Sequence, residues 1–556
     1  MKFNKLAILL LSASLMSSCD FMDCDESDNY TLEEIKGSYS RVKQFVTDIY
    51  YYLPSDFCNT SGAMLDAATD DAVHIYESSA IQRFVNGTWS ANYTVDDKFS
   101  TLYYGIHDAN YYLENLSGLT FSTWENGDNY EDWLQNYDNF QYQVRFLRAY
   151  FYFELVRRYQ NVPLFTKALS MEEANNVEPS SAQDVLKFII DECTAIAPKL
   201  PIKSTEIAQA ENGRVTRAMA LALKARAALY AASPLYNTTG DNSKWNEAAK
   251  DAYELIGNAS TLGLGLDANF ANLFKANNYS SKEVILCRPT GTSKTFEQAN
   301  YPMGVTGGKT TTCPTENLAS AFEMKDGRTF DWNNPEMKAN PYKDRDPRFY
   351  LTIVHNGMLW PAKKAVDISE GGANGLPLTN ATSTGYYLRK YVDNSISFEA
   401  GSTTAATHHN WILFRYGEVL LNYAEAMINA YGDCDYKDAT LKMSAREAVN
   451  AIRKRAGMPN IASCPKDEFL KAVKHERRVE MAFEGQRFWD LRRWKDLGET
   501  KTIYAVRITK QNDVLDYEKQ VLDTRDISDK LYFYPIANSE LFKNKKLKQN
   551  PGWDAE

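Results

Sequence analysis

Cys19 is the residue whose place in the sequence most directly predicts covalent chemistry. It follows two lysines, an apolar run from residue 6 to residue 15, and the small residues that precede a cleavage point. That order is typical of a secretory signal. A cysteine at the cleavage point predicts a lipid-modified thiol, with residues 1–18 removed and the mature chain beginning at Cys19. Met16 stands where such signals usually have leucine, and an ordinary secreted protein cleaved nearby is the alternative.

Four acidic residues follow the cysteine directly. Asp20, Asp23, Asp25 and Glu26 are interpreted as a solvated tether, which is what short charge runs usually are. The alternative is an export tag, because acidic residues just after a lipidated cysteine resemble the surface-export signals of one group of diderm bacteria. Either interpretation keeps the protein at a membrane surface.

Motifs for metal binding and catalysis are incomplete in this sequence. His475 begins a His-Glu-x-x-His pattern, but Val479 replaces the second ligand. Asp433 begins a calcium-loop pattern, but Ser444 occupies the twelfth position. We therefore predict no catalytic residue, no metal site and no cofactor. The paired carboxylates of a glycoside hydrolase are a matter of geometry, so a surface hydrolase stays an alternative.

Aromatic residues in polar, turn-rich stretches are the candidates for ligand binding. Trp89 and Tyr93 lie in such a stretch, where an exposed ring face would stack on a sugar while Asp, Asn and Arg side chains bond its hydroxyl groups. The alternative for Trp89 is that it caps the fold. If it binds ligand, Trp89→Ala should weaken binding without unfolding the protein. The predicted ligand-binding residues are Asp70, Asp71, Trp89, Tyr93, Tyr301, Trp360 and Arg389.

Composition excludes some classes of partner. The 556-residue chain carries a net charge of -10, which argues against nucleic acid, since binding to phosphates needs a basic surface. Eight cysteines leave an odd number once Cys19 is lipidated, which argues against an obligatory disulfide framework and leaves room for one or two bridges.

The elements that must position these residues are mostly helices. Apolar spacing and capping signals predict helices over 32–52, 98–116, 141–159, 182–196, 217–232, 246–256, 412–430, 445–456 and 466–484. Consecutive helices are joined by short turns, with the small-and-aromatic rhythm of tetratricopeptide-type hairpins. Residues 257–406 differ, because Gly, Thr, Asn and Pro increase there and helical periodicity disappears. We predict a helical region 19–256, a loop-rich insertion 257–406 that carries the ligand lobe, and a helical region 407–556.

An ordered set of motifs resembles the SusD/RagB family of outer-membrane nutrient-binding lipoproteins. The motifs lie at 145–153 with 162–164, 222–226 with 231–235, 345–349, 414–421, 476–480 with 483–491, and 549–553. They cover almost the whole mature chain. The sequence departs from the family pattern at Phe99, where tryptophan is expected.

The resemblance implies a fold and a role. It implies a mostly α-helical protein in which tetratricopeptide-like hairpins support an irregular binding lobe. It also implies a non-catalytic, lipid-anchored protein of the outer membrane that captures a glycan or another oligomeric nutrient. The ligand would pass to a partner porin, a SusC-type TonB-dependent transporter. A helical-repeat scaffold that binds only protein is the further alternative.

Overall fold

The computed structural model describes residues 30–121, 125–207, 211–360 and 364–554. The signal 1–18, Cys19 and the acidic residues after it lie outside the described residues. In the described ranges the α-helices are α1 Leu32–Lys36, α2 Tyr39–Ile49, α3 Phe99–Asn115, α4 Tyr130–Tyr159, α5 Met171–Ala174, α6 Ala182–Ile196, α7 Arg217–Ala232, α8 Ser243–Gly257, α9 Thr295–Asn300, α10 Glu316–Ala321, α11 Pro335–Ala339, α12 Phe349–Thr352, α13 Tyr416–Tyr431, α14 Ala445–Ala456, α15 Lys466–Met481, α16 Gln486–Trp494 and α17 Asn538–Lys543. The strands are β1 Ala72–His74, β2 Val162–Pro163, β3 Pro179–Ser180, β4 Val284–Pro289, β5 Thr312–Pro314, β6 Ile353–Val354, β7 Tyr387–Leu388, β8 Asn410–Arg415, β9 Thr502–Gln511 and β10 Val514–Thr524.

A stack of helical hairpins forms the framework. Helix α7 packs against α6 and α8, α8 packs against α13, and α13 packs against α14 and α15. Every residue of α7 after Arg217 is buried, and eight of its sixteen residues are alanines, whose small side chains allow neighbouring helices to approach closely. The predicted mostly helical fold with tetratricopeptide-like hairpins is confirmed.

Helix ends agree with the sequence where a local capping signal marks them. At α14 the Ser444 side chain and Glu447 form a capping box, and Gly457 ends the helix with a φ of 75°. Helices α6 and α7 have the predicted bounds. Helix α4 begins at Tyr130 rather than at residue 141. The prediction missed its first turns because buried polar residues such as Asn136 interrupt the apolar spacing there.

Two other predicted helices also differ from the structure. The predicted helix 412–430 begins at Tyr416, because Asn410–Arg415 is a fully buried strand that pairs antiparallel with β4. The predicted helix 32–52 is interrupted at Gly37, which ends α1, and continues as α2 and a short 3₁₀ turn, Tyr50–Tyr52.

The insertion contains short helices and strands of two to six residues, and the β4–β8 pair joins it to the helical framework. Near the C-terminus, β9 and β10 form a long antiparallel hairpin that the sequence reading did not predict. The two turn residues, Asn512 and Asp513, have φ values of 49° and 64°.

The proposed division of the chain into the regions 19–256, 257–406 and 407–556 stays a prediction.

A buried arginine–glutamate network ties the insertion to the C-terminal helices. We define it as Arg348, Arg415, Glu476, Glu480 and Glu484, each at most 3% exposed. Glu480 of α15 accepts from Arg348 at 2.8 Å and from Arg415 at 2.7 Å. Burial alone would raise the pKa of Glu480, but the surrounding guanidinium groups outweigh it and hold the pKa well below its usual value.

Candidate functional site

Three adjoining depressions form one groove between the N-terminal segment and the β4–β8 sheet. An inner cavity of about 280 Å³ shares Tyr51, Leu53 and Arg288 with a second depression of about 580 Å³, the tyrosine pocket. A third depression of about 410 Å³, the lysine pocket, shares Thr290 and Gly291 with the tyrosine pocket. Because neighbouring depressions share lining residues, the three form one connected surface.

Two exposed rings line the tyrosine pocket. Tyr51 is 69% exposed and Tyr279 is 56% exposed. Tyr50 and Tyr52, on either side of Tyr51, turn inward and donate hydrogen bonds to Gln143 and Asp108 at 2.8 and 2.9 Å. Burial raises the pKa of Tyr50 to about 12. The inner tyrosines therefore fix the 3₁₀ turn while the ring of Tyr51 stays available for stacking.

Arg288 of β4 lies where the inner cavity meets the tyrosine pocket. Its Nη1 donates to Ser55 Oγ and its Nη2 donates to the carbonyl of Tyr51, both at 3.1 Å. Both acceptors are neutral. Partial burial lowers the pKa of Arg288, though a guanidinium remains charged at neutral pH.

The loop that separates the inner cavity from the lysine pocket is held by Phe57. Its ring lies 5.0 Å from the rings of Phe296 and His409 and 5.2 Å from that of Trp411. His409 in turn contacts Glu297 through Nε2 at 2.8 Å. This packing fixes the groove's central loop against the insertion.

Side chains that can form hydrogen bonds surround the rings of Tyr51 and Tyr279 and the guanidinium of Arg288. Asn410 and Thr290 line the tyrosine pocket, and Gln298 and Tyr76 line the lysine pocket. The hydroxyl of Thr290 donates to the carbonyl of His409 at 3.0 Å, which fixes that side chain. Stacking rings with amide and hydroxyl groups around them are the arrangement that binds a sugar, whose faces are apolar and whose edges are polar.

Asp70 and Asp71, predicted to bind ligand, are buried among arginines instead of opening to solvent. Arg487 donates to both oxygens of Asp70 at 2.9 and 2.8 Å, and Arg478 donates to Asp71 at 2.7 Å. Burial alone would raise the pKa of Asp70, but Arg478 and Arg487 outweigh it and lower the pKa. The structure places this pair in the framework and away from any open surface.

Trp89 is also buried, with 1% of its surface exposed. Its ring lies 4.6 Å from Phe84, 4.8 Å from Tyr534 and 5.1 Å from Trp553. Of the two interpretations given above, this position is that of a residue capping the fold, since neither ring face is open to a sugar. Tyr93 is 63% exposed, beside Arg83 at 5.5 Å, but it lines none of the three depressions.

The remaining three predicted residues meet in the insertion. The rings of Tyr301 and Trp360 are 5.6 Å apart, and the guanidinium of Arg389 lies 5.3 Å from Trp360. Both rings are buried, and Tyr301 donates to the carbonyls of Asp393 and Ile396 at 2.7 Å. Arg389 is half-buried. A ligand role for any of the seven predicted residues stays a prediction.

Sequence reasoning missed Tyr51, Tyr279 and Arg288. A signal existed for Tyr51, because it continues the exposed face of α2 through Gln44 and Asp48 at helical spacing. No local pattern marks Tyr279 or Arg288. They come together with Tyr51 only because β4 pairs with β8 beside the end of α2.

Comparison with known proteins assigns the family. A profile described as the SusD family matches residues 270–553, just over half of the chain. A second profile, described as starch-binding associating with outer membrane, matches residues 20–229. The chain belongs to the SusD family.

Its relatives are similar over most of their length. SusD-like protein P2 of Formosa agariphila is 26% identical over 436 residues, which is 74% of this chain and 73% of that protein. A crystal structure of a SusD-like protein from Bacteroides fragilis is 27% identical, with a TM-score of 0.73 and coverage of 94% of this chain and 100% of that one. A SusD-like carbohydrate binding protein from the same species is 25% identical, with a TM-score of 0.72 and coverage of 92% and 100%.

In the described ranges, no helix combines the length and apolar character needed to cross a bilayer.

Proposed function

We propose that the protein binds a glycan in the groove and acts without catalysis. The observation that carries this proposal is the groove itself, in which Tyr51 and Tyr279 present exposed rings beside Arg288 and a border of amide and hydroxyl groups. Membership of the SusD family supports it, and so do the match to a starch-binding family profile and the similarity to a carbohydrate binding protein.

We further propose that Cys19 carries a lipid that anchors the protein to the outer membrane, facing the exterior, and that the ligand passes to a SusC-type TonB-dependent transporter. The order of charged, apolar and small residues before Cys19 supports the anchor. The acidic residues after it would serve as a tether between the lipid and the folded domain. The resemblance to nutrient-binding lipoproteins supports the transporter.

Glycan binding is tested by calorimetry and affinity electrophoresis against a panel of polysaccharides. For a glycan that binds, Tyr51→Ala and Tyr279→Ala should each reduce affinity about tenfold, a loss of about 1.4 kcal/mol. Phe542→Ala is the matched control, because Phe542 is an equally exposed ring (72%) that lines none of the three depressions. Equal affinity in all three variants would remove the groove from the proposal, and release of shortened products from a bound glycan would favour the hydrolase alternative.

Anchoring and delivery are tested in the native cell. Cys19→Ala should move the protein out of the membrane fraction, while the purified variant binds glycan as before. A tagged wild-type chain should co-purify with a TonB-dependent transporter identified by mass spectrometry. Retention of the variant at the surface would contradict the anchor, and a transporter partner without any glycan binding would favour the protein-scaffold alternative.

A further inference from the structure

The groove contains cations that have no carboxylate partner. Arg288 bonds only to the neutral oxygens of Ser55 and Tyr51. Lys309 is exposed and is the single charged residue in the lining of the lysine pocket. Across the described ranges, no carboxylate forms an ion pair with either residue. A half-buried guanidinium without a counter-ion has lost hydration that a ligand anion would replace.

The carboxylates near the groove already have partners. Glu211 in the tyrosine pocket contacts Arg214 at 2.5 Å and Lys43 at 2.7 Å. In the inner cavity, Glu154 contacts Arg157 at 2.6 Å and also pairs with Arg158. These acidic groups therefore do not compensate Arg288.

Three further inner-cavity carboxyls are also accounted for, and one of them, Glu484, pairs with Arg415 at 2.7 Å. Asp96 contacts Arg158 at 2.8 Å. Asp56 is half-buried, with Oδ2 accepting from the backbone amide of Leu65 at 2.6 Å, and desolvation raises its pKa well above the usual value. The Asp56 carboxyl is held by the backbone, and among the described residues it forms no ion pair with Arg288.

The charge of the groove is thus opposite to that of the whole chain, which is -10. A protein with an acidic surface repels an anionic polymer at long range, so binding one needs a local concentration of positive charge. Arg288 supplies it where the inner cavity meets the tyrosine pocket, and Lys309 supplies it in the lysine pocket. The planar guanidinium fits two oxygens of one carboxylate or sulfate group, which a neutral hydroxyl does not offer.

We infer that the groove binds a glycan that carries anionic groups, carboxylate or sulfate, with Arg288 contacting the anion in the tyrosine pocket and Lys309 contacting a second anion in the lysine pocket. This inference rests on the proposed function, since it names the class of glycan for the same groove. The shared chemistry is a tetrahedral or planar oxyanion on a sugar ring.

Matched pairs of polymers separate charge from sugar structure. Polygalacturonate is compared with its fully methyl-esterified form, and dextran sulfate with dextran, by calorimetry at low and at moderate salt. At least one anionic polymer should bind ten or more times more tightly than its neutral counterpart. Which pair shows the difference distinguishes carboxylate from sulfate.

Substitutions then identify which cation contacts the anionic groups of the polymer. Arg288→Gln should reduce affinity for the anionic polymer about tenfold and should reduce the salt dependence of binding, while Lys309→Gln should have a smaller effect because Lys309 is more exposed. Lys471→Gln removes the same charge from an exposed site on α15, outside the groove, and should leave affinity unchanged. Tyr51→Ala should also weaken binding, which a non-specific attraction to the surface would not require.

The outcomes distinguish this inference from the proposed function. Binding of neutral glycans in the groove, with no preference for the charged polymers, overturns the inference and leaves the proposed function standing. Preference for a charged polymer that Arg288→Gln does not alter overturns the assignment of Arg288. Absence of binding to every glycan, charged or neutral, overturns both.

Discussion

Arg415 and Arg288 lie on the same two-stranded sheet, on β8 and β4, and face different surroundings. Arg415 is fully buried and contacts Glu283 at 2.8 Å, Glu480 at 2.7 Å and Glu484 at 2.7 Å. Arg288 is half-buried and bonds to one hydroxyl and one carbonyl. The same side chain therefore serves the fold where carboxylates surround it and is available to a ligand where they are missing.

The difference also explains why a buried charge is not by itself a sign of a binding site. In the arginine–glutamate network each charged group has opposite charges within hydrogen-bond distance, so removing one group leaves buried charges that the remaining partners compensate less fully. In the groove, substitution of Arg288 would leave no carboxylate without its partner, because Arg288 bonds only to neutral oxygens. Stability should therefore respond strongly to changes in the network and weakly to changes in the groove.

The largest effect is expected for Arg415→Gln. Three buried carboxylates lose their shared cation, and breaking a buried ion pair in this way costs about 3–5 kcal/mol. The free energy of unfolding, measured with urea, should fall by that amount. If the variant folds too poorly to measure, Glu283→Gln removes one partner only and should give a smaller loss. A loss below about 1 kcal/mol for Arg415→Gln would contradict the comparison.

Trp89→Ala should have a similarly large effect. The ring packs against Phe84, Tyr534 and Trp553, and removing a buried tryptophan costs about 3–5 kcal/mol. Urea unfolding measures the loss. Tyr93→Ala is the control in the same segment, since its ring is 63% exposed and its removal should change stability by less than about 0.5 kcal/mol. A stable Trp89→Ala variant with weakened glycan binding would restore the ligand interpretation.

How far sequence predicts this molecule depends on the range of the interactions involved. The bounds of α14 follow from Ser444, Glu447 and Gly457, which act within one helix. The hairpin of β9 and β10 was also open to prediction, because Asn512 and Asp513 separate two β-rich runs.

The surroundings of Trp89 were beyond local reasoning. Its burial depends on Tyr534 and Trp553, which belong to the C-terminal end of the chain. The groove also depends on contacts between distant segments, since Tyr51 and Arg288 meet only through tertiary packing. Polar, turn-rich flanks describe the sequence near a residue but do not determine whether distant segments cover it.

An intermediate, pH-dependent effect is expected for Asp66→Asn. Asp66 is fully buried, and desolvation together with the charge of Asp71 raises its pKa from 3.8 to about 7. The unfolded chain loses this proton near pH 4, whereas the folded protein keeps it until about pH 7. The carboxyl's contribution to stability is therefore present below about pH 4 and is lost as the pH rises towards 7.

An amide at position 66 does not ionise, so the variant should gain stability relative to the wild type between pH 4 and pH 7. The gain should level off above pH 7 and reach on the order of 4 kcal/mol at most. Urea unfolding at pH 5, 6, 7 and 8 measures it, with Asp326→Asn as an exposed control. A difference that does not change with pH would show that Asp66 is already ionised in the folded state near pH 5.

The smallest effect on stability is expected for Arg288→Gln. The variant loses hydrogen bonds to Ser55 and Tyr51, but it leaves no carboxylate unpaired, and Asn59 still donates to Ser55 Oγ at 2.7 Å. The free energy of unfolding should fall by about 1 kcal/mol or less. Measured beside Arg415→Gln under the same conditions, this variant tests the comparison directly. A loss as large as that of Arg415→Gln would mean that Arg288 holds the loop 53–59 in place, and its effect on glycan affinity would then report on folding rather than on contact with an anion.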